Sequence, residues 1–474
     1  MSNFIFYDFE TSSSNKRWGQ IIQVGAILVN DNLQELDRFE ARCRLSPGVI
    51  PEAMALIVNK TTPKILKETN LSHYEMVRQL MKTFKKWGKA TYIGYNSIDF
   101  DEELLRSTLF KTVEYPYLTS TNGNKRGDLL GLARAANLYY PKTLKNPISE
   151  KGNAVYKLDQ MAPFNGIKHT NAHSAIGDAY STLEIARIIF KKAPSVWKAS
   201  MLTTNKDETM DRIKKEIFFC TNEYFYGKSR PYVVSYVCTH PKYQWAICFD
   251  LKHDPKLYLD LPTGQLRQEM SKNPKFLRTI RHNKHPVIMN PSYADYFDEY
   301  KELGQEKLAS RAKLLKAHKD FSQKVTQILA DAAQEKEDTD SQLDIFEEES
   351  IYLKFSPKED TKIMPSFHNA KWNEKLSIIS KFKDERLHYF GKKLLYEEQP
   401  DLLSKNDYHK IHKTIAQRVL STNDEKWNTI PRTFAEIDTL REKFAKKNDN
   451  EKLSLLEDIN SYIEEIEKKY LSAS

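Results

Sequence analysis

The residues Phe4-Ile5-Phe6-Tyr7-Asp8-Phe9-Glu10-Thr11 decide the first element of the fold. Four consecutive large apolar or aromatic residues predict a buried β-strand. Side chains alternate between the two faces of a strand, so Asp8 and Glu10 share a face. Two carboxylates held this close repel each other, and a divalent cation with oxygen ligands would offset the repulsion. The alternative is a strand that ends earlier and leaves both acids in a solvated turn.

The segments that follow predict a mixed sheet with a helix between its strands. Residues 20–29 and 39–45 predict two further strands, and residues 91–96 predict a short buried one. Residues 74–87 carry apolar side chains at helical spacing and predict a helix before that last strand. Two meandering strands after the carboxylate strand, followed by a crossover, favour a sheet with both parallel and antiparallel pairs.

A second acidic cluster runs from Asp99 to Glu103. Asp99 could cap a helix, with Glu102 as its capping-box partner. Acids in a first turn complement the helix dipole, which would account for Glu102 and Glu103 without any chemistry. Asp101 is the residue that we predict to point back at the sheet. Further along, Asp128 precedes two leucines and predicts another helix cap.

A third cluster ends in His173 and Asp178. A helix follows it, and its predicted apolar face is formed by Ile176, Ala179, Leu183, Ala186 and Phe190. Five residues along an ideal helix rotate by about 140°, so His173 and Asp178 would not share a helix face. We therefore expect Asp178 on the helix and His173 on the loop that enters it. The alternative for His173 is an ordinary surface or capping residue.

The three clusters supply the groups that metal-dependent phosphodiester cleavage needs. Four carboxylates without a cysteine ligand favour the hard cations Mg²⁺ or Mn²⁺; they are Asp8, Glu10, Asp101 and Asp178. Two such ions about 4 Å apart stabilise the entering and the leaving oxygen. A histidine with a pKa near neutrality, here His173, could take the proton from the attacking water.

In this order and with these flanks, the residues resemble the DEDDh family of 3′→5′ exonucleases, which has an RNase H-like fold. The motifs that carry the resemblance are Asp8-Phe9-Glu10, Asp101 and His173-x-x-x-x-Asp178. Two further stretches, Gly94-Tyr95-Asn96-x-x-x-Phe100-Asp101 and Asn171-Ala172-His173, are similar to the bacterial exonuclease I family. No position among the four carboxylates and His173 departs from the family pattern.

The resemblance implies a function and a set of site residues. It implies processive 3′→5′ release of mononucleotides from single-stranded DNA, with two Mg²⁺ ions for which Mn²⁺ can substitute, in DNA repair and recombination. His173 would be the general base, and the metals would be held by Asp8, Glu10, Asp101 and Asp178. The implied substrate contacts come from Glu10, Thr11, Tyr95 and Asn96. The alternatives are a 3′→5′ exoribonuclease and a catalytically inactive nucleic-acid-binding module.

The fold class that we predict is α/β, with three domains. Residues 1–198 would form the RNase H-like exonuclease domain, residues 199–350 an SH3-like β-rich domain with a helical extension and an acidic linker, and residues 351–474 an all-helical domain. Residues 232–238 and 244–250 predict paired strands, and residues 257–259 could add another. Residues 293–332 and the chain after 351 have helical periodicity, including a basic and aromatic helix over 372–395. The apolar residues of the last helix, from Leu456 to Tyr470, predict packing rather than chemistry.

A basic stretch before residue 286 could grip phosphates or an acidic peptide, and its alternative is a solvated loop. Its members are Arg278, Arg281, His282, Lys284 and His285, of which Arg278, Arg281 and Lys284 are the predicted partner or DNA contacts. The resemblance implies that the partner is the acidic C-terminal tail of single-stranded DNA-binding protein.

Charge is distributed unevenly along the 474 residues, whose formal net charge is +9. Residues 334–350 hold eight acids and one lysine, so the rest of the chain carries +16. A basic body suits a polyanionic partner such as nucleic acid. The acidic segment itself predicts a solvated linker, with a DNA mimic as the alternative.

Four scattered cysteines predict free thiols in a reducing compartment, and no apolar run reaches transmembrane length. We therefore expect a cytoplasmic protein with no membrane partner, and the resemblance to the bacterial exonuclease I family implies a monomer that associates with the bacterial nucleoid.

Overall fold

The computed structural model of the protein describes residues 3–168, 174–340 and 345–472. Within these ranges no helix combines the length and the apolar character that crossing a membrane requires. The four cysteines are buried and free, as the sequence predicts.

The first sheet is mixed, as predicted. Among the described residues it has five strands in the order β3-β2-β1-β4-β5. Strands β1, β2 and β3 pair antiparallel, whereas β1, β4 and β5 pair parallel. The strand bounds are Asn3–Thr11 (β1), Ile21–Val29 (β2), Glu35–Arg42 (β3), Ala90–Gly94 (β4) and Lys125–Asp128 (β5).

Two strands of this sheet depart from the prediction. The third strand begins four residues before the predicted start and ends at Arg42, because its register against β2 pairs Glu35 with Val29 and Arg42 with Gln23. Its first residues are largely exposed and polar, so the sheet edge has little hydrophobic signature. Strand β5 was not predicted for a similar reason, since its sequence is Lys-Arg-Gly-Asp.

Helices cover both faces of the first sheet. Their bounds are Ala53–Val58 (α1), Pro63–Glu68 (α2), His73–Trp87 (α3), Asp101–Lys111 (α4), Leu129–Tyr139 (α5), Leu158–Phe164 (α6), Ala175–Lys192 (α7), Pro194–Met201 (α8) and Lys206–Lys215 (α9). Helix α3 begins one residue before its predicted start, behind a capping box formed by Ser72 and Glu75. Ile5 and Tyr7 pack in the core that contains α3, while Phe4 and Phe6 pack in the core that contains α5 and α7.

Helix α7 approaches the sheet closely at Gly25 of β2. A Cβ atom there would overlap the backbone of Ala175 and Ile176, so only glycine admits the helix at this distance. The predicted apolar face of α7 is confirmed at Ala179, Leu183 and Ala186, whose side chains are fully buried. Phe190 is an exception, because it is 36% exposed and packs edge-on against Trp197.

The second sheet is antiparallel, with four strands among the described residues in the order β6-β7-β8-β9. Its bounds are Phe219–Phe225 (β6), Lys228–Thr239 (β7), Ala246–Asp250 (β8) and Leu277–Ile280 (β9). The predicted pairing of the central strands is confirmed. The strand predicted over 257–259 is wrong: Pro255–Leu257 is a 3₁₀ turn, whose Lys256 amide is capped by the Asp254 side chain.

Helices accompany the second sheet: the first of them lies between β8 and β9, and the others follow β9, as predicted. They are Thr263–Ser271 (α10), Asp298–Lys301 (α11), Gln305–Ala317 (α12) and Lys319–Asp340 (α13). The acidic segment is not simply a solvated linker, because α13 extends into it and the Glu348 side chain near its end is buried. One carboxylate oxygen of Glu348 accepts hydrogen bonds from Arg418 and Tyr389 at 2.9 and 2.8 Å.

The rest of the chain is helical, as predicted. The bounds are Lys358–Asn369 (α14), Trp372–Ile379 (α15), Glu385–Glu398 (α16), Lys405–Leu420 (α17), Ile430–Ala445 (α18) and Asn450–Leu471 (α19). The single helix predicted over 372–395 is two helices, because the buried Asp360 carboxylate accepts hydrogen bonds from the Lys383 and Asp384 amides between them. Helix α19 buries Leu456 and Tyr470, which confirms its packing role.

Candidate metal centre and substrate cleft

Three carboxylates meet where β1 faces the start of α7. Asp8 and Glu10 continue the row of Phe4 and Phe6 along the strand, and Asp178 lies in the first turn of α7. One oxygen from each of the three lies within 4.8 Å of the others. Strand alternation and the close approach at Gly25 together produce this cluster.

The fourth predicted carboxylate, Asp101, is buried at the first position of α4. Its Oδ1 accepts a hydrogen bond from the Phe9 amide at 3.2 Å, which places it beside the residue between the two strand acids. The predicted cap of this helix is wrong: Phe100 occupies the N-cap without a side-chain hydrogen bond. Asp99 instead pairs with Lys284, at 2.7 Å between Nζ and Oδ1.

The electrostatics of the cluster favour a cation. Burial, followed by the charges of Asp101, Asp178 and Glu10, holds the pKa of Asp8 well above its usual value. Burial and the charges of Asp178 and Asp101 raise the pKa of Glu10 to about 8. Burial raises the pKa of Asp101 to about 7, and the Phe9 amide partly opposes that rise. All the donors are hard oxygens, so the residues fit a divalent cation of the Mg²⁺ or Mn²⁺ type.

His173, the predicted general base, lies outside the described residues, which resume at residue 174. The helix that carries Asp178 begins immediately after that point, with Ser174 as its N-cap. The role of His173 therefore stays a prediction.

Of the residues predicted to contact substrate, Tyr95 and Asn96 line the same cleft as Asp178, and Thr11 follows Glu10 at the end of β1. Thr11 is buried and its Oγ1 donates to the Ser13 carbonyl at 2.9 Å. Asn96 has a left-handed backbone conformation, with φ of 61°, in the loop between β4 and α4. Next to it, the Tyr95 hydroxyl donates to the carbonyl of Tyr156.

Asp128 is a helix cap, as predicted, and it also holds the loop that carries Asn96. Its carboxylate accepts from the Leu130 amide at 2.9 Å. It also accepts from the Asn96 and Ile98 amides, each at 3.1 Å. The side chain thus ties the end of β5 to the loop that leads into Asp101.

A cleft of about 740 Å³ leads away from Asp178 along Tyr95 and Asn96. It continues past Arg134 of α5, whose guanidinium lies 3.7 Å from the centre of the Tyr224 ring. Arg134 and Tyr224 are not among the residues predicted from the sequence. A basic residue next to aromatic residues is the pattern that could have indicated them. Arg134 and Tyr224 are about ninety positions apart in the chain, however, so they meet only after folding.

The predicted basic contacts each have a different partner within the protein. Arg278 of β9 pairs with Glu223 at 3.3 Å and stacks on the Tyr232 ring. Arg281 is exposed and lies 4.6 Å from the centre of the Trp245 ring. Lys284 pairs with Asp99, which lies in the loop between β4 and α4. The roles of Arg278, Arg281 and Lys284 in binding stay predictions.

Metal binding should change the stability of the protein in a pH-dependent way. Folding takes up protons at Glu10 and Asp101, because their pKa values are raised, so the melting temperature of the metal-free protein should fall between about pH 5 and pH 8. Mg²⁺ should raise the melting temperature, and more at pH 8 than at pH 5, because it binds the ionised carboxylates. Thermal unfolding in EDTA and in Mg²⁺ across this range measures both effects. An equal Mg²⁺ shift at both ends of the range would contradict the site.

Comparison with known proteins agrees with this geometry. Residues 5–186 match a family model described as an exonuclease, and residues 345–466 match the model of the exonuclease I C-terminal domain. The exodeoxyribonuclease I of Haemophilus influenzae is 24% identical over 488 residues, which cover 97% of this chain and 98% of that protein. The Escherichia coli protein of that name is 23% identical over 351 residues, covering 70% and 73%.

Other alignments are shorter or structural. The exodeoxyribonuclease I of Buchnera aphidicola from Acyrthosiphon pisum is 30% identical over 208 residues, so the aligned part spans 44% of this chain and half of that relative's length. The solved structure of Escherichia coli exonuclease I with a dA16 oligonucleotide has a TM-score of 0.82 at 20% identity, covering 98% of this chain and all of that one. Exonuclease I from Methylocaldum szegediense gives the same values.

The mixed sheet, the carboxylate cluster and the matched exonuclease model define a protein of the exonuclease-domain class. Two findings point to a particular kind of exonuclease. Residues 345–466 match the C-terminal domain of exonuclease I, and the Haemophilus influenzae exodeoxyribonuclease I aligns along nearly the whole chain. The chain is therefore similar to bacterial exonuclease I at both matched segments and along nearly the whole length of the Haemophilus influenzae protein.

Proposed function

We propose that the protein is a 3′→5′ exonuclease that degrades single-stranded DNA processively to 5′-mononucleotides, in DNA repair and recombination. The observation that carries the proposal is the convergence of Asp8, Glu10 and Asp178 within 4.8 Å, with Asp101 hydrogen-bonded to the intervening Phe9 amide. The names of the relatives, exodeoxyribonuclease I, support DNA as the substrate.

The carboxylates are the proposed ligands of two divalent cations, Mg²⁺ or, as a substitute, Mn²⁺. When bound, such cations lower the pKa of water and stabilise the charge that develops on the phosphodiester oxygens. Asp8, Glu10, Asp101 and Asp178 would hold the cations. Burial and then the charges of neighbouring carboxylates raise the pKa values of Asp8, Glu10 and Asp101, and bound cations would offset that charge repulsion.

The neighbouring side chains have separate roles in this proposal. His173 takes the proton from the attacking water as general base. Glu10 and Thr11 hold the 3′-terminal nucleotide at the end of β1, and Tyr95 and Asn96 contact it from the loop before α4. The left-handed backbone of Asn96 supports this role, because strained backbone is often found at functional sites.

The cleft beside Asp178 is the proposed path of the single strand. Its aromatic and cationic lining suits a polyanion whose bases are free to stack. Arg134 on the Tyr224 ring presents a positive charge near the strand, while Tyr156 extends the aromatic wall. The second sheet would thus contribute to holding DNA through β6 as well as through its basic residues.

The remaining proposals rest on the family resemblance. The protein would be a cytoplasmic, nucleoid-associated monomer that binds the acidic tail of single-stranded DNA-binding protein, with Arg278, Arg281 and Lys284 as contacts to the tail or to DNA. Its domains would be residues 1–198, the SH3-like unit of residues 199–350 and the helical residues 351–474.

Degradation of end-labelled oligonucleotides tests the function. Single-stranded DNA, duplex DNA and RNA, each labelled at either end, are incubated with Mg²⁺ or with EDTA. We expect rapid Mg²⁺-dependent loss of the 3′ label from single-stranded DNA, with mononucleotides as the product. Equal or faster decay of RNA would reassign the protein as an exoribonuclease. Binding of DNA without decay of any substrate would make it a binding module.

A further inference from the structure

His285 reaches from the second sheet's side of the molecule into the first sheet. It follows the 3₁₀ turn His282–Lys284, has a φ of 52° and is only 6% exposed. Its Nδ1 accepts a hydrogen bond from the Asp128 amide at 2.9 Å. The ring proton is therefore on Nε2, which can donate to the Ser200 carbonyl at 3.0 Å. The imidazole thus bridges β5 and the end of α8.

The imidazole packs against the backbone of β5. A Cβ atom on Gly127 would lie 3.2 Å from the His285 Cε1 atom, so the glycine allows this close contact. Burial lowers the pKa of His285 to about 4, and the ring is neutral at physiological pH. A neutral ring is what the hydrogen bond from the Asp128 amide requires.

The turn around His285 also grips the loop that precedes Asp101. Lys284 Nζ donates to the Ile98 carbonyl at 3.2 Å and pairs with Asp99. On the same side, Arg126 Nη2 of β5 donates to the Asn283 carbonyl at 2.7 Å. The turn therefore contacts both β5 and residues 98 and 99.

Asp128 connects His285 to the proposed active site. Its amide is held by His285, and its carboxylate holds the Asn96 and Ile98 amides. The loop continues into α4, where the Glu102 amide donates to the Ser97 carbonyl at 2.8 Å. Asp101 lies between these two fixed points, so displacement of Asp128 would be passed to Asn96 and to Asp101.

We propose that His285 is a positioning residue for the nuclease site, which holds Asp128 and, through it, the Asn96 loop and Asp101. The inference rests on the proposed function, because its consequence is measured on DNA cleavage. The chain segment after the second sheet would thus help to hold the residues of the proposed active site in place. From the sequence, His285 belongs to a basic stretch that was predicted to grip phosphates or an acidic peptide.

His240 provides a matched control. It is also buried, at 8% exposure, and its Nδ1 accepts backbone hydrogen bonds from the Lys242 and Tyr243 amides. These contacts lie within the hairpin of β7 and β8, away from the first sheet. His240→Ala therefore removes a comparable imidazole without touching Asp128.

The test compares His285→Ala, His285→Gln and His240→Ala by kinetics and by hydrogen exchange of residues 95–101. We expect His285→Ala to lower kcat on the order of 10- to 100-fold, as small misplacements of reacting groups do, with a smaller change in KM. Exchange of the 95–101 amides should accelerate in His285→Ala and stay unchanged in His240→Ala. His285→Gln, whose amide oxygen can accept from Asp128, should recover part of kcat.

Gly127→Ala is a second variant in case His285→Ala does not fold. The added methyl group presses on the imidazole without removing it, and it should give a weaker effect in the same direction. The inference would be overturned if His285→Ala, or Gly127→Ala in its place, had the same kcat and the same exchange of the 95–101 amides as His240→Ala. If the parent protein cleaves no substrate, the proposed function fails, while the exchange measurement still tests the link from His285 to the loop.

Discussion

Asp8→Asn should remove turnover on single-stranded DNA almost completely. The half-buried Asp8 side chain lies beside the other carboxylates, and a neutral amide cannot supply the charge that a divalent cation needs from this position. Loss of metal-ion stabilisation worth roughly 4 kcal/mol or more lowers the rate on the order of 10³-fold. The measurement is the initial rate of release of a 3′ label in Mg²⁺, together with DNA affinity by fluorescence anisotropy, which should be partly retained.

Asp31→Asn is the control for this change. Asp31 is exposed in the turn after β2, so the same loss of charge there should leave turnover unchanged. Asp178→Asn should behave like Asp8→Asn, because both side chains belong to the same oxygen cluster. Parental activity in Asp8→Asn would show that the cluster is not the catalytic site.

His173→Ala separates proton transfer from metal binding. Removal of a general base typically costs about 10²- to 10⁴-fold in rate. The variant should nevertheless keep the Mg²⁺-dependent rise in melting temperature, because the four carboxylates remain. Loss of that rise together with turnover would indicate that His173 supports the metal site instead.

Glu102→Gln should have the largest effect on stability. Glu102 is fully buried, and its Oε1 is shared by the guanidinium groups of Arg106 and Arg126 and by the Thr119 hydroxyl at 3.0 Å. Removing one member of a buried charge network leaves the other charges uncompensated, which typically costs about 3–5 kcal/mol. We expect the first unfolding transition in urea to move to clearly lower denaturant concentration.

Glu68→Gln is the matched control, because Lys64 and Glu68 have the same i,i+4 spacing as Glu102 and Arg106 but are largely exposed. Exposed pairs of this kind contribute little to stability. Indistinguishable transitions for Glu102→Gln and Glu68→Gln would mean that the buried network does not stabilise the fold.

Glu102 also illustrates what could not be predicted from local sequence. An acidic residue in the first turn of a helix is stabilised by the helix dipole, so the local sequence already explains why a glutamate stands there. The partners that define its actual environment, Arg126 and Thr119, come from other segments and meet it only after folding. The same holds for Asp99. It was predicted to cap a helix, but its side chain forms an ion pair with Lys284, 185 positions away.

Several parts of the protein can be predicted from short-range periodicity and residue chemistry. Strand alternation put Asp8 and Glu10 on one face, and the motif order indicated the exonuclease class before any geometry was known. The helix cap at Asp128 and the core face of α7 follow from the same local rules.

Contacts between distant groups, in contrast, form only in the folded chain. Gly25 lets α7 bring Asp178 to the strand acids, Arg134 finds Tyr224 across the cleft, and His285 finds Asp128. These contacts join segments tens to hundreds of residues apart, and they depend on packing and burial that no local pattern encodes. The physical reason is that propensity acts within a few residues, whereas the environment of a buried charge is set by every segment that packs around it.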